Sequence, residues 1–358
     1  METTILKDPA ISLKTEPLCP VFGTCGGCAY QDIPYEAELA LKQVQLQRLL
    51  GEKLGLAPLS FDPIVPSPDP YHYRHRLDLT LKKHREGIAI GFQLHSQRKL
   101  ISVDECAIAR KEVSGFIPEL KELAVAKLPP DYRTANLVVR TGDDGRVFWG
   151  GIGRRSLELK PEDFLWTEIR GKRIYYSLDT FFQANLSILP GLIATIEELA
   201  QLSPQTRFFD LYSGVGLFGI SFASQVEKVF MIEDYPASTR VAAHNVAFHG
   251  LSNTEIRAGK VEAELPLLFE MLESGDNVGI VDPPRQGLSA SALEGLAAAK
   301  NFRALFYLSC HPESLARDLA VFIQKGWRVE KIVPFDLFPK TLHLETLALL
   351  RPEKIHAA

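Results

Sequence analysis

The sequence predicts an α/β protein whose second half is a doubly wound domain and whose first half is rich in β structure. From about Asp179 onward, short apolar runs alternate with helical segments, which is the pattern of a mainly parallel sheet covered by helices. A glycine-rich turn at Gly214–Gly219 follows one of these runs and opens a helix. In the first half, Leu77–Leu81 alternates apolar and polar residues, and Asp144-Gly145 is a strong hairpin turn signal.

Length and composition are those of an ordinary globular protein. The 358 residues are 46% hydrophobic and 23% charged, with a net charge of -4, and we predict two domains, 1–175 and 176–358. The first residues include charges and form no apolar segment, so we expect no signal peptide. The longest uncharged stretch, 211–226, is too short and too rich in glycine to span a membrane. With five cysteines and no secretion signal, we expect a cytoplasmic monomer without a membrane partner.

Three cysteines near the start of the chain have the spacing of a metal-binding motif. Cys19, Cys25 and Cys28 are separated by five and two residues, and two glycines lie between the last pair. Thiolate ligands select zinc or an iron–sulfur cluster, and Cys106 is the nearest candidate for a fourth ligand. Unrelated free thiols or a redox pair is the alternative, and the residues alone do not separate zinc from 4Fe–4S.

A helix, a linker and a basic segment follow the cysteines. The helix is predicted from about Pro34, and 60–70, with four prolines, is predicted to be a linker. Between Tyr71 and Leu100 there are seven Lys and Arg against two Asp and Glu, interleaved with aromatic residues and His. Phosphate contacts combined with base stacking would use this mixture, although a solvated sheet edge would also be basic.

The second half supplies the elements of the doubly wound domain. Helices are expected at 186–201, 236–248, 290–299 and from 312, and strands at 207–212, 226–233, 278–282, 304–308, 328–335 and 343–351.

Two turns of this domain carry polar groups to one edge of the sheet. Glu233 ends a strand 19 positions after Gly214, a spacing that suits a carboxylate accepting ribose hydroxyls. Such a turn could serve NAD or S-adenosylmethionine, or it could serve packing alone. Asp282-Pro-Pro ends another strand in a rigid turn that aims its carboxylate into the cleft. Arg285 stands where amino-group methyltransferases have a stacking aromatic residue, which argues against N-methylation.

Two further residues are candidates for covalent and proton-transfer chemistry. Cys310 ends an apolar strand just before a helix that starts at Pro312, and the helix end is expected to favour its thiolate. Glu345 heads an apolar strand, where burial would raise its pKa and suit it to act as a general base. The alternatives are a small apolar Cys that fills a strand end and an exposed Glu at a strand start.

Together these motifs resemble the family of RNA uracil-C5 methyltransferases that use S-adenosylmethionine. The matching pieces are the four cysteines, Phe181-Phe182-Gln183-Ala-Asn185, Asp210-Leu-Tyr-Ser-Gly-Val-Gly, Asp282-Pro-Pro-Arg-Gln-Gly, Leu-Ser-Cys310 and Phe338-Pro-Lys-Thr-Leu-His-Leu-Glu345. The four-cysteine set resembles the iron–sulfur members, which include 23S ribosomal RNA enzymes and archaeal tRNA enzymes.

The resemblance implies a Rossmann-like methyltransferase domain, S-adenosylmethionine as methyl donor and a 4Fe–4S cluster on the four cysteines. It implies that Cys310 adds to C6 of a uracil and that Glu345 removes the C5 proton. It places Gln183, Tyr212, Glu233 and Asp282 at the cofactor and the base. The partner would be RNA, with ribosomal RNA favoured over tRNA. The alternatives are a non-catalytic RNA-binding iron–sulfur protein and, from the glycine turn alone, a nicotinamide oxidoreductase.

The sequence also departs from the family pattern. Because only 18 residues precede Cys19, we expect no small β-barrel RNA-binding domain of the kind that many relatives carry ahead of the cysteines. His311, Ser314 and Lys340 stand where Asn, Thr and Gln are usual, and Leu217 replaces a polar residue. We expect the charge of His311 to alter thiolate formation or base recognition.

Overall fold

The computed structural model describes residues 14–54, 61–84, 87–94, 99–127, 133–151, 159–271 and 275–353. The first part of the chain contains helix α1 (Tyr35–Leu54), helix α2 (Lys111–Lys127) and five antiparallel strands in the order β3-β2-β1-β4-β5. The strands are β1 (Arg76–His84), β2 (Gly87–Leu94), β3 (Lys99–Ser102), β4 (Thr134–Thr141) and β5 (Val147–Gly151). The alternating leucines of β1 are buried against α2, which confirms the predicted half-buried strand.

A short hairpin joins the two halves. Its strands, β6 (Leu165–Ile169) and β7 (Lys172–Tyr176), form a separate two-stranded sheet.

The second part is a seven-stranded sheet with helices on both faces. Its strands are β8 (Thr206–Leu211), β9 (Lys228–Glu233), β10 (Thr254–Ala258), β11 (Asp276–Val281), β12 (Phe302–Ser309), β13 (Trp327–Phe335) and β14 (Glu345–Pro352). Its helices are α3 (Leu189–Ala200), α4 (Leu217–Phe222), α5 (Pro236–Phe248), α6 (Val261–Met271), α7 (Ala290–Ala298) and α8 (Pro312–Gln324).

The strand order of this sheet confirms the doubly wound prediction. The order is β10-β9-β8-β11-β12-β14-β13, and all pairs are parallel except those that β14 makes with β12 and β13. The order reverses between β8 and β11, and ligands bind outside the strand ends at such a switch point. Separate hydrophobic clusters fill the two faces.

The proline-rich segment interpreted as a linker is part of the fold, so that interpretation was wrong. Phe61 bridges Ile332 and Val65 bridges Phe335, both in parallel, so the segment extends the sheet beyond β13. Its backbone N–H groups donate to carbonyls of β13, because an edge strand has unpaired backbone groups that any extended chain can bind. Helix α1 also packs against α8, so an element that we assigned to the first domain lies on the second. The division at residue 175 stays a prediction.

Candidate active site

Strand register brings Cys310 and Glu345 to the same point of the sheet. Ser309 of β12 pairs with Thr346 of β14 in antiparallel register. Cys310 follows Ser309 and Glu345 precedes Thr346, so the two residues lie side by side at the carboxyl end of β12. Glu345 is only 2% exposed and Cys310 is partly buried. Asp282 directly follows the neighbouring strand β11 and completes the group.

Gln183 joins this group from the segment between β7 and α3. Its side-chain amide donates to an Asp282 carboxylate oxygen at 2.8 Å, and it is 4% exposed. The backbone carbonyl of Gln183 accepts a hydrogen bond from His75 Nε2 at 3.0 Å. Just upstream, the fully buried guanidinium of Arg140 donates to carbonyls within 177–180 at 2.6 and 2.7 Å. The first sheet therefore holds the segment around Gln183 in place, and no motif in the sequence indicated these two supporting residues.

The surroundings of Cys310 disfavour the thiolate that we expected there. Burial first, and then the charges of Glu345 and Asp282, together raise the pKa of the Cys310 thiol to about 12. The expectation from the helix end was therefore wrong, because desolvation and two carboxylates outweigh the partial charge of the helix. Burial first, and the charge of Asp282 second, also raise the pKa of Glu345 well above its usual value. Burial therefore favours the protonated forms of both the Cys310 thiol and the Glu345 carboxyl group.

Helix α8 begins with an unusual cap. Nδ1 of His311 accepts a hydrogen bond from the backbone N–H of Ser314 at 3.3 Å, as a capping side chain does. An imidazole nitrogen that accepts carries no proton, so Nδ1 is the acceptor nitrogen of the ring in this contact. The contact gives His311 a structural role that the hypothesis about its charge had not included.

The turn after Asp282 is fixed by the same helix. Oδ2 of the buried Asp318 accepts from the hydroxyl of Tyr307 at 2.6 Å and from the backbone N–H of Leu288 at 2.9 Å. Arg317 Nη2 donates to the carbonyl of Gln286 at 2.9 Å. The loop beside the reactive groups is thus tied to the helix that follows Cys310.

We predict that Gly287→Ala destabilises this loop more than a glycine-to-alanine change at an equally twisted position. Gly287 has φ +78°, and an added Cβ would lie 2.5 Å from Arg317 Nη2 and 2.6 Å from the fixed Asp318 carboxylate. Gly171 has φ +76° with no atom within 4 Å, so Gly171→Ala measures backbone strain alone. We expect about 1 kcal/mol for Gly171→Ala and about 2–3 kcal/mol for Gly287→Ala in urea unfolding. Equal losses of unfolding free energy in the two variants would show that the loop accommodates the added Cβ at no cost and would contradict this prediction.

The glycine-rich turn and Glu233 form a cradle for a ligand at the same sheet edge. Tyr212, Gly214 and Gly216 all have positive φ, an uncommon conformation for Tyr that often marks functional sites. Glu233 accepts hydrogen bonds from the backbone N–H groups of Gly214 at 2.9 Å and Tyr235 at 2.8 Å. These contacts place its carboxylate at the turn, as the spacing predicted.

The described residues fit an adenosyl cofactor at this cradle. A pocket at this edge of the second sheet is lined by Phe181, Phe182, Gln183, Tyr212, Ser213, Gly214, Val215, Leu217, Phe218 and Asp282. The hydroxyl of Ser213 is buried there and has no hydrogen-bond partner among the described residues, so it is available to a ligand. Leu217 adds an apolar wall, which suits an adenine or a thioether and explains how the turn tolerates the loss of a polar residue.

Asp210 supports the turn from below and predicts a measurable pH dependence. Its Oδ2 accepts from the N–H of Gly219 at 2.8 Å, and burial raises its pKa to about 7. A carboxyl whose folded pKa lies above its unfolded pKa lowers the stability of the fold as pH rises between these two values, because only the unfolded chain has then released the proton. The stability of Asp210→Asn relative to the native protein should therefore grow by about 1 kcal/mol per pH unit from pH 5 to 7 and level off above. Denaturant unfolding at several pH values measures this difference, and a flat difference would contradict it.

The four cysteines lie near one another but are not assembled as a metal site. None is in a disulfide, and burial, together with the nearby Cys106, Cys19 and Cys25, raises the pKa of the Cys28 thiol to about 11. Among the residues described, no three side chains are close enough to hold a metal ion. The donor set fits a thiolate-bound group in kind and number, while the ligand geometry is not formed.

The basic segment predicted at 71–100 contains β1, β2 and the residues just before β1. Arg76 pairs with Asp78 at 2.8 Å, which neutralises one predicted cation. Arg85, Glu86 and Arg98 lie outside the described residues. Nearer the pocket, Phe181 is 63% exposed, and Arg285 contacts His343 at 3.1 Å.

In the described ranges, no helix has the length and apolar character needed to cross a membrane.

Comparison with known proteins agrees with this geometry. The model of the family described as tRNA (Uracil-5-)-methyltransferase matches residues 271–353. An uncharacterized RNA methyltransferase of Caldanaerobacter subterraneus is 32% identical over 94% of this chain and 85% of its own length. One from Thermosynechococcus vestitus is 29% identical over 94% of this chain and 84% of its own.

A solved structure shows the same fold. The Pyrococcus abyssi tRNA (uracil-54, C5)-methyltransferase, crystallised with S-adenosyl-L-homocysteine, superposes with a TM-score of 0.69 at 24% identity. The match covers 94% of this chain and 87% of that one.

The fold and these relatives define an α/β methyltransferase, with the glycine-rich turn, Asp282 and Cys310 at one edge of the sheet. The chain belongs to the RNA (uracil-5-)-methyltransferase family.

Proposed function

We propose that the protein transfers a methyl group from S-adenosylmethionine to C5 of a uridine in RNA. The observation that carries this proposal is the meeting of Cys310, Glu345, Asp282 and Gln183 at the carboxyl ends of two adjacent strands. A thiol, a buried carboxyl group and a fixed amide are the groups that addition to a uracil ring requires.

The residues divide the reaction between them. Uracil C5 is a weak nucleophile, and bonding of the Cys310 sulfur to C6 moves the electron pair of the C5–C6 double bond onto C5 and the carbonyl. The thiol proton goes to the carboxylate of Asp282, whose raised pKa makes it a competent acceptor, so that Glu345 stays ionised for the later proton removal. S-adenosylmethionine supplies an electrophilic methyl group for C5. Glu345 then removes the C5 proton, the double bond reforms and the Cys310 sulfur leaves.

Other residues position the reactants. We propose that Glu233 accepts the ribose hydroxyls of the cofactor and that Tyr212 packs beside it, since both lie at the glycine-rich turn. Gln183 has its amide on Asp282, so it can fix the orientation of that carboxylate and read a uracil edge. The pocket is too recessed for a stacked base, so the target must be flipped or lie in a loop.

The RNA class is proposed from the resemblance. The four-cysteine set favours ribosomal RNA of the 23S type, while the tRNA enzyme among the structural neighbours makes tRNA the second candidate. The cations of β1, together with the exposed His72 just before the strand, would contact the phosphates and bases around the target. We propose that the protein acts as a cytoplasmic monomer.

A methyl-transfer assay tests the proposed function. The native protein is incubated with labelled S-adenosylmethionine and undermodified total RNA, and nucleosides are analysed separately for ribosomal RNA and tRNA. We expect 5-methyluridine in the ribosomal fraction. Label in tRNA alone would favour the second candidate, and no label with intact RNA binding would favour a non-catalytic RNA-binding protein.

We also propose that Cys19, Cys25, Cys28 and Cys106 hold a 4Fe–4S cluster. Protein purified without oxygen should show broad visible absorbance and contain iron and sulfide, and Cys28→Ser should lose both. Cys310→Ser is the matched control, since it removes a thiol that lies elsewhere in the fold. Bound zinc without iron would contradict the iron–sulfur assignment.

A further inference from the structure

Four ionisable side chains are fully buried between α1 and the loop 336–344, which joins β13 to β14. They are Glu38 and Lys42 on the helix and Asp336 and Lys340 on the loop, each no more than 3% exposed. Lys42 Nζ lies 2.8 Å from Glu38 Oε1 and 2.7 Å from Asp336 Oδ1. Two cations and two anions balance, so the cluster is neutral as a unit. Buried charges persist only when each is paired and hydrogen-bonded.

Lys340 is the residue of this cluster with the most unusual setting. It has φ +66°, a conformation that costs energy for a residue with a side chain. Its Nζ lies 3.2 Å from Glu38 Oε2 and over the rings of Tyr35 and Tyr71, at 5.1 and 5.4 Å from their centroids. Its backbone N–H donates to Glu38 Oε1 at 2.7 Å. One glutamate thus grips both the backbone and the side chain of Lys340.

The same residue connects the loop to the cysteine-rich segment. The backbone N–H groups of Ala29 and Tyr30, directly after Cys28, both donate to the carbonyl of Lys340, at 2.8 and 3.2 Å. The loop is therefore held on two sides by parts of the chain about 300 residues away in sequence.

The loop in turn sets the position of Glu345. Phe335 pairs with Glu345 across β13 and β14, and Asp336 follows Phe335 directly. Every residue between these two ends belongs to the gripped loop. A shift of about 1 Å in a reacting group can cost about a hundredfold in rate, so a loop that leads straight into a catalytic base must be held firmly.

We propose that Lys340, gripped by Glu38 and the two tyrosine rings, is a positioning residue for the general base Glu345. The inference rests on the proposed function and adds a residue to its final step. Lys340 touches neither substrate nor cofactor in this assignment, and it acts by fixing the loop. The charge pair explains why a lysine can stand where relatives have glutamine.

The test separates formation of the covalent intermediate from its breakdown. Lys340→Gln and the control Lys172→Gln, a half-buried lysine bound to carbonyls of α4, are compared with the native protein. Amide hydrogen exchange of 336–346 measures how firmly the loop is held. Denaturing gels measure the protein–RNA adduct, and release of 5-methyluridine RNA measures its breakdown.

We expect Lys340→Gln to exchange faster in 336–346 only, to keep the adduct and to release product at least about tenfold more slowly. The double variant Glu38→Gln/Lys340→Gln restores neutrality and should recover part of the release rate, whereas Lys172→Gln should match the native protein.

Three results would overturn the proposal. They are unchanged loop exchange, equal loss of adduct and release, and faster exchange throughout the chain. If the native protein forms neither the adduct nor 5-methyluridine, the proposed function is wrong and so is the role of Lys340 in it. The three results above differ from this one because they require an active native protein and concern only the variant.

Discussion

Cys310→Ala is expected to abolish methyl transfer to RNA, lowering the rate by about 10³-fold or more, as removal of a covalent nucleophile does. Cys310 sits at the end of β12 beside Glu345, and no other cysteine of the chain lies on this sheet. Without addition to C6 the C5 carbon keeps its low reactivity, and no positioning of the methyl donor compensates. Labelled methyl transfer under single-turnover conditions measures the loss.

The same variant should keep the rest of the site intact. Alanine removes only a sulfur atom from a partly buried position, so binding of S-adenosylmethionine and of RNA should stay within about twofold of the native values. Calorimetry of cofactor binding and a filter assay for RNA check this. Substantial methyl transfer by Cys310→Ala with normal binding would rule out the covalent route.

Glu345→Gln is expected to stop the reaction after methylation rather than before it. The buried carboxyl is replaced by an amide of the same size that cannot take the C5 proton. The adduct between Cys310 and the methylated base should accumulate, and product release should fall by about 10²–10⁴-fold, the usual contribution of a general base. Denaturing gels with labelled RNA show the trapped species.

A matched acidic residue on the adjoining strand provides the control. Glu330 of β13 pairs with Arg328 and Arg351 at the surface, so Glu330→Gln changes the same functional group away from the site. It should release product at the native rate. If Glu345→Gln loses adduct and methylation together, Glu345 acts before C5 is methylated, and its assignment as the final base is wrong.

The fold and the edge at which the site lies could be predicted because they depend on local patterns. Apolar runs, glycine-rich turns and the start of α8 at Pro312 are encoded within a few residues. The carboxyl ends of parallel strands then bring Glu233 and Asp282 to one edge without further information.

The features that the sequence did not predict depend on contacts between distant segments. The pairing of Phe61 and Val65 with β13, and the grip of Glu38 on Lys340, join parts of the chain that no periodicity relates. The raised pKa of the Cys310 thiol was missed for the same reason, since it depends on how deeply three elements bury the sulfur. Charge and burial are properties of the assembled site.

The most direct test of covalent methyl transfer uses RNA in which uridine is replaced by 5-fluorouridine. Fluorine at C5 cannot be removed as a proton, so the reaction should halt with protein, base and methyl group joined. Mass spectrometry of the digested complex should then find one methylated nucleotide on the peptide that contains Cys310. Methylated RNA without a covalent complex, or an adduct on another residue, would contradict covalent methyl transfer through Cys310.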